Sequence, residues 1–197
     1  MSRQIFSIKK NIELCNRKCL FATHILEKRH QQTMTKIGLL SDTHGFLDPK
    51  IYELFKEVDE IWHAGDIGTV EVLDELEKFK PTRAVYGNID GSDLRERTPL
   101  VHKFICEGVK VFITHIGGYP KRYAPGIKQQ LKEFAPKLLI CGHSHILKVI
   151  NDTELDILHI NPGAAGKYGF HTVRTAIRFS LENGSIRNME VIEFATR

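Results

Sequence analysis

Short apolar runs alternate with amphipathic segments of helical length along the chain after residue 36. The runs are rich in β-branched residues and end in polar turn residues, which predicts buried strands at 37–40, 60–63, 83–86, 109–114 and 137–141. Between them, the spacing of apolar positions predicts helices at 49–57, 69–79 and 126–134. Strands that alternate with helices in this way predict an α/β fold.

A side chain able to bind metal follows each of these five predicted strands. The loops beyond the carboxyl ends of strands in an open α/β sheet form its ligand crevice, so we expect these side chains to gather at one edge. One such residue is a weak signal, because turns also favour Asp and Asn, whereas five successive strand ends are hard to explain by turn formation. The seven candidate metal ligands are Asp42, His44, Asp66, Asn88, His115, His143 and His145.

These seven side chains offer carboxylate and amide oxygens and imidazole nitrogens, without an obvious thiolate. Such donors suit Mn, Fe, Co, Ni, Zn or Mg better than a structural zinc cluster. Seven ligands exceed the needs of one tetrahedral site, but two ions that share a bridging carboxylate would use them all. Two metal ions about 3.5–4 Å apart recur in enzymes that hydrolyse phosphate esters. The ions neutralise the phosphate and lower the pKa of a bridging water, which becomes a nucleophilic hydroxide.

An ordered set of motifs carries these residues: DTH at 42–44, GD at 65–66, GN followed by Asp90 at 87–90, His115 with Gly117, GHSH at 142–145 and INPGAAG at 160–166. Together they resemble the calcineurin-like metallophosphoesterase superfamily, and most closely its small phosphodiesterase branch. The resemblance implies an α/β four-layer sandwich of two mixed β-sheets flanked by helices. Alternating segments at 147–151, 155–160, 172–180 and 186–194 fit the second half of that sandwich.

The resemblance also implies a hydrolase, most closely a phosphodiesterase, that acts on a small phosphate ester with two divalent metal ions. Manganese is the first choice of metal. One ion would be held by Asp42, His44, Asp66 and His145, and the other by Asp66, Asn88, His115 and His143, with Asp66 as the bridge. Within this set, the expected catalytic residues are Asp66, Asn88 and His143.

One position departs from the pattern of many superfamily members. Where they carry a histidine between the Asn and Asp of the third motif, this chain has Ile89. Isoleucine cannot transfer a proton, so we expect a preference for leaving groups that need no protonation, or a substitute acid. The small phosphodiesterase branch often lacks this histidine too, so its loss does not predict an inactive site.

The net charge divides between two parts of the chain. All 197 residues together carry +4, but residues 1–33 hold seven basic and two acidic residues, which gives +5 there and −1 for the remainder. We expect residues 1–33 to be a basic N-terminal extension, disordered or a misassigned translation start, because Met34 opens MTKIGLLSDTHG like a natural start. Residues 34–197 would form the metallophosphoesterase domain.

Alternatives from other classes remain. The strongest is a scaffold or protein-interaction module that retains the phosphoesterase fold, like the retromer subunit of this type. An amidohydrolase would need a longer barrel with HxH on its first strand, and a zinc nucleobase deaminase would need motifs that this chain lacks. The chain contains no run of 18 apolar residues, so no membrane span is predicted. Residues 34–197 are nearly neutral, which does not indicate binding of nucleic acid. Four scattered cysteines favour a reducing cytoplasm, and a homo-oligomer stays open.

Overall fold

The structure is a computed structural model that describes residues 34–196. The interpretation of residues 1–33 lies outside the described residues. The helices are α1 (Lys50–Leu54), α2 (Val70–Phe79), α3 (Ser92–Arg97) and α4 (Ile127–Phe134). The strands are β1 (Met34–Leu40), β2 (Glu60–His63), β3 (Thr82–Ala84), β4 (Val101–Cys106), β5 (Val109–Thr114), β6 (Gly118–Tyr119), β7 (Arg122–Tyr123), β8 (Leu138–Ile140), β9 (Leu147–Asp152), β10 (Ile157–Pro162), β11 (Val173–Glu182) and β12 (Ser185–Thr196).

Ten strands form two five-stranded mixed sheets. The first has the order β12-β11-β1-β2-β3, and the second has the order β4-β5-β8-β10-β9. In the first sheet β1, β2 and β3 run parallel, and in the second β5, β8 and β10 run parallel. In the first sheet the antiparallel strands β11 and β12 lie on one side of the parallel strands, and β3 forms the other edge. In the second sheet an antiparallel strand lies at each edge, β4 beside β5 and β9 beside β10. The remaining pair, β6 and β7, forms a short hairpin.

The sheets pack face to face, and helices cover their outer faces. Between the sheets, Leu39 and Trp62 of the first share a buried cluster with Val111 and Ile140 of the second. A second cluster joins the outer face of the first sheet to α1, α2 and α3, and a third joins the second sheet to α4. This arrangement confirms the four-layer sandwich expected from the sequence motifs.

Close packing on the first sheet depends on one glycine in β1. A Cβ atom at Gly38 would lie 2.6 Å from Cδ2 of Phe55, a fully buried ring that follows α1. Any larger residue would push the helix segment off the sheet. Gly38 therefore sets the distance at which α1 covers the strand that leads to Asp42.

The sequence pattern missed four short or half-exposed elements. Helix α3 buries Leu94 among charged residues, so it has almost no apolar periodicity. Strand β4 lies at a sheet edge and buries only its last residue, Cys106. The strands β6 and β7 are two residues each, too short for any pattern.

No helix within residues 34–196 combines the length and apolarity required to cross a membrane.

Candidate metal centre

The candidate ligands follow parallel strands of both sheets. Asp42 and His44 follow β1, Asp66 follows β2, and Asn88 lies in the loop after β3 of the same sheet. The second sheet contributes the other three ligands, His115 directly after β5 and His143 and His145 after β8. The site is therefore built between the ends of two sheets, not at one edge of a single sheet as the strand pattern alone suggested.

Two groups of three side chains approach closely enough to hold a metal ion each. The ligand atoms of the first group, Asp42, His44 and His145, all lie within 4.8 Å of one another, and so do those of the second, Asp66, His115 and His143. In the first group, Nε2 of His145 is 3.2 Å from both Oδ1 of Asp42 and Nε2 of His44. Six of the seven predicted ligands are thus brought together in two groups.

The carboxylate of Asp66 faces both groups. Its Oδ1 lies 3.1 Å from Nε2 of His115, and its Oδ2 lies 3.8 Å from Nε2 of His44. The backbone N–H of Ile89 donates to Oδ1 over 3.1 Å and fixes the orientation of this carboxylate. Burial alone would raise the pKa of Asp66, but His115 and the Ile89 N–H outweigh burial and lower it. Asp66 therefore stays ionised, with one oxygen directed toward each group.

His115 has a defined tautomer. Its Nδ1 donates to the carbonyl of Ala64 over 2.8 Å, which leaves the Nε2 lone pair of the neutral ring directed toward Asp66. Burial would lower the pKa of His115, but the carboxylates of Asp66 and Asp42 raise it, because two acceptors facing each other favour a proton between them. A divalent cation could take the place of that proton.

The seventh candidate ligand, Asn88, carries an exposed side chain in the loop after β3. It lines a cavity together with His115, which places it on the side of the second group. His143 is also exposed, and its backbone N–H donates to Oδ2 of Asp42 over 3.2 Å. This hydrogen bond ties the loop of the second sheet to the first ligand of the first sheet.

Five of the seven candidate ligands have a left-handed backbone conformation. The φ angles are 55° for Asp42, 49° for His44, 52° for Asp66, 69° for His143 and 58° for His145. This region is uncommon for residues other than glycine and costs about 1–3 kcal/mol when the surrounding structure imposes it. Such strain collects at functional sites, and here it turns successive side chains of each loop toward one cleft.

Asp90 fastens two of the ligand loops together. Its carboxylate accepts hydrogen bonds from the backbone N–H groups of Ile67 (3.2 Å), Gly68 (2.7 Å) and Gly87 (2.7 Å). The sequence motif contains Asp90, but two of its three donors lie more than 20 residues away, so its role could not be inferred from spacing. It joins the segment after Asp66 to the segment before Asn88.

A buried histidine orders the DTH loop. Nδ1 of His63 accepts the N–H of Gly65 (3.1 Å), so its Nε2 carries the proton and donates to the hydroxyl of Thr43 (2.9 Å). That hydroxyl in turn donates to the carbonyl of Ile67 (2.9 Å). Burial lowers the pKa of His63 to about 4, which keeps the ring neutral and this chain of hydrogen bonds intact. Thr43, between two ligands, was missed by the sequence reasoning.

Asn161, of the NPG turn, supports the GHSH loop rather than reaching toward a ligand position. Its amide donates to the carbonyl of Gly142 (2.8 Å) and to the hydroxyl of Ser144 (3.1 Å), the residues on either side of His143. Its own carbonyl accepts the N–H of Gly163 (2.9 Å), which forms the turn. Turn formation and support of the site are therefore one hydrogen-bond network.

The residues present fit a pair of divalent cations. Within the described part of the chain, Oδ1 of Asp42 is buried without a hydrogen-bond partner, and so is Nε2 of His115 when its ring is neutral. Buried polar atoms are rarely left without partners, and here each of them points into a group of other metal-binding atoms. Mixed oxygen and imidazole donors also match the chemistry of divalent transition metals.

Comparison with known proteins agrees with this site. A family model described as the calcineurin-like phosphoesterase superfamily domain matches residues 35–184. A "probable metallophosphoesterase" of Methanothermobacter thermautotrophicus is 34% identical over 137 residues, which cover 65% of this chain and 76% of the relative.

Solved structures share the fold at lower identity. A protein from Streptococcus pneumoniae described as a predicted phosphoesterase superposes with a TM-score of 0.62 and 21% identity, over 82% of this chain and 90% of that chain. Vacuolar protein sorting 29 from Cryptosporidium parvum superposes with a TM-score of 0.62 and 17% identity, over 83% of this chain and 99% of that chain. The family match, which spans most of the chain, shows that the protein belongs to the calcineurin-like phosphoesterase superfamily.

Proposed function

We propose that the protein is a phosphodiesterase that uses two divalent metal ions, with manganese as the first choice. One observation carries this proposal: Asp66 directs its two carboxylate oxygens to two separate groups of metal-binding side chains. A single mononuclear site would need only one of these groups. Two bound cations would supply the positive charge that neutralises a phosphate ester and lowers the pKa of a bound water to near neutrality.

The chain's own residues hold and orient the parts of this reaction. Asp66 keeps both groups at a fixed separation, because the Ile89 N–H and the Asp90 network hold its loop. Asn88 and His143 are the exposed members of the ligand set, so a substrate phosphate reaches them first. The site therefore contributes mainly positioning and fixed charge, which account for most of the catalysis in phosphoryl transfer.

The side chain at position 89 bears on the choice of substrate. Ile89 is 47% exposed next to Asp66 and Asn88, where it offers an apolar surface and no proton. Diesters with a good leaving group, such as aryl esters, would react without an acid at this position. This supports aryl or similarly activated phosphodiesters as the preferred substrates.

The test uses protein that is stripped with a chelator and restored with single metals: Mn, Fe, Co, Ni, Zn or Mg. We expect metal-dependent hydrolysis of bis(p-nitrophenyl) phosphate at a higher kcat/KM than of the monoester p-nitrophenyl phosphate. The variant Asp66→Asn should bind fewer than two metal ions tightly. The control Asp93→Asn, which replaces an exposed carboxylate outside the site, should still bind two. An unchanged metal stoichiometry in Asp66→Asn would contradict the shared bridge.

The second candidate is an interaction module without turnover. It is favoured by the structural similarity to vacuolar protein sorting 29, since the fold alone does not distinguish a hydrolase from a scaffold. Absence of turnover with every metal, on both the diester and the monoester, would favour this second function.

A further inference from the structure

A cavity next to the metal centre has a lining unlike that of the centre itself. It encloses about 510 Å³ and shares Asn88 and His115 with the ligand set. The rest of its wall is largely apolar and comes from two stretches of chain, one from the end of β3 to the start of β4 and the other from the end of β5 into α4. Its volume lies within the range of about 300–1,000 Å³ that is typical of small-molecule sites.

The apolar wall is exposed in a way that a purely structural role does not explain. Leu100 is 55% exposed and Ile116 is 42% exposed, and both line the cavity. Ile116 directly follows the ligand His115, so an apolar surface begins one residue away from the metal centre. Exposed apolar side chains that converge on a reactive site are the usual surface for an apolar part of a substrate.

Arg95 adds a fixed positive charge to this cavity. Its Nε donates to the carbonyl of Asp90 (2.7 Å) and its Nη2 donates to the carbonyl of Asn88 (3.3 Å). Its guanidinium carbon lies 4.8 Å from the ring centroid of Tyr86, which also lines the cavity. The cavity therefore combines flat aromatic and guanidinium surfaces with a charge that complements an anionic phosphate ester.

We propose that this cavity, lined by Leu100, Ile116, Tyr86 and Arg95, binds an aromatic ester group of the substrate while its phosphate lies at the metal centre. The inference rests on the proposed phosphodiesterase function and narrows its substrate class. Arg95 lies over one face of Tyr86, so an aromatic ring of the substrate would pack against the parts of this pair that line the cavity, with its apolar edge against Leu100 and Ile116. A methyl group would leave most of the cavity filled with water, so a methyl ester would gain little binding free energy from the apolar wall.

The test measures binding of two anions that cannot be hydrolysed because they contain no P–O–C bond. Diphenylphosphinate and dimethylphosphinate carry the same charge and differ in the presence of aromatic rings. Calorimetric titration of the manganese-loaded protein should give at least about tenfold tighter binding of diphenylphosphinate, given the apolar area that one ring buries. Equal dissociation constants for the two anions would overturn the proposal.

Matched variants assign the binding to this cavity. Leu100→Ser removes an exposed apolar side chain of its wall and should weaken diphenylphosphinate about fivefold, with dimethylphosphinate unchanged. Ile105→Ser removes a side chain that is 63% exposed and not part of the cavity lining, and it should change neither constant. Ala124→Val, which narrows the cavity from its other segment, should weaken only diphenylphosphinate. Equal losses in Leu100→Ser and Ile105→Ser would overturn the assignment.

The outcome separates this proposal from the proposed function. Tight binding of diphenylphosphinate without metal-dependent hydrolysis of bis(p-nitrophenyl) phosphate would support the cavity and contradict the phosphodiesterase. Hydrolysis of that diester without any preference for diphenylphosphinate would support the phosphodiesterase and overturn the cavity.

Discussion

Replacing Asp90 by Asn tests whether this one carboxylate holds the ligand loops after β2 and β3 in place. Oδ2 accepts the N–H groups of Ile67 and Gly87, and Oδ1 accepts the N–H of Gly68. In Asp90→Asn the amide oxygen can keep only one of these two positions. The amide nitrogen then faces a backbone donor, so at least one of the three N–H groups loses its acceptor.

The expected loss of stability follows from these three hydrogen bonds. A hydrogen bond to a charged group contributes about 1.5–3 kcal/mol, and a buried donor without an acceptor costs about 1–3 kcal/mol. Asp90 is itself buried, with 2% of its surface exposed, so water does not replace the lost acceptor. We therefore expect Asp90→Asn to lower the free energy of unfolding by about 2–4 kcal/mol.

Urea unfolding of the metal-free protein measures this loss, and Asp93→Asn is the matched control. Asp93 is exposed in the first turn of α3 and accepts a hydrogen bond from the neighbouring Ser92 hydroxyl, so its replacement should change stability by less than about 1 kcal/mol. Calorimetric metal titration should also show about tenfold weaker binding in Asp90→Asn, because the loop of Asp66 is loosened. Equal stability of Asp90→Asn and Asp93→Asn would show that the Asp90 carboxylate does not hold these loops.

Three further changes test other parts of the site. The pKa of His63 is about 4 in the folded chain and about 6.5 in the unfolded chain, so the unfolded chain binds more protons between these two values. Lowering the pH from 6.5 to 5 should therefore cost metal-free wild type about 1.6 kcal/mol more free energy of unfolding than His63→Gln, and equal pH slopes for the two proteins would contradict this. Gly87→Ala places a Cβ atom 2.0 Å from Oδ1 of Asp66 and should weaken metal binding about tenfold or more, whereas Gly91→Ala, with nothing within 4 Å, should match wild type in the same titration. Ile89→His should make kcat/KM less dependent on the leaving-group pKa across a series of aryl phosphodiesters; identical slopes would show that residue 89 does not decide protonation.

The main strands could be predicted because a fully buried strand needs apolar residues at nearly every position. Strands β1, β2, β5 and β8 lie at the centres of the two sheets, where both faces are covered, so they are nearly continuous apolar runs. Strand β4 lies at an edge with half-exposed side chains, and its alternation is too weak to stand out. The division of the strands into two sheets came from the motif resemblance, because periodicity does not record which strands pair.

The ligand set could be proposed from strand ends, but its geometry could not. The polar residues after the strands were visible in the sequence, whereas the left-handed conformations of His44, His143 and His145 were not, because even histidine, which is enriched in that region, adopts it in a minority of cases. The functions of Thr43 and Asp90 depend on donors and acceptors about 20 residues away. Such contacts arise only when the parallel strands lie side by side.

The strained ligand conformations and the contacts between loops belong to one physical arrangement. Five left-handed residues would relax in isolated loops, since each costs about 1–3 kcal/mol. Here the loops are bonded to one another: the N–H of Asp42 donates to the Gly65 carbonyl (3.0 Å), and the Gly142 N–H donates to the His115 carbonyl (3.0 Å).

The Gly166 N–H donates in turn to the Asp42 carbonyl (3.0 Å), which joins the turn after β10 to the loop after β1. Because the sheets bury their strands completely at these ends, the loops cannot move without breaking several hydrogen bonds together. The two groups of metal-binding side chains are therefore assembled by the fold itself. A metal ion that binds the folded chain and not the unfolded chain then adds stability, and its binding requires little further ordering of the ligand side chains.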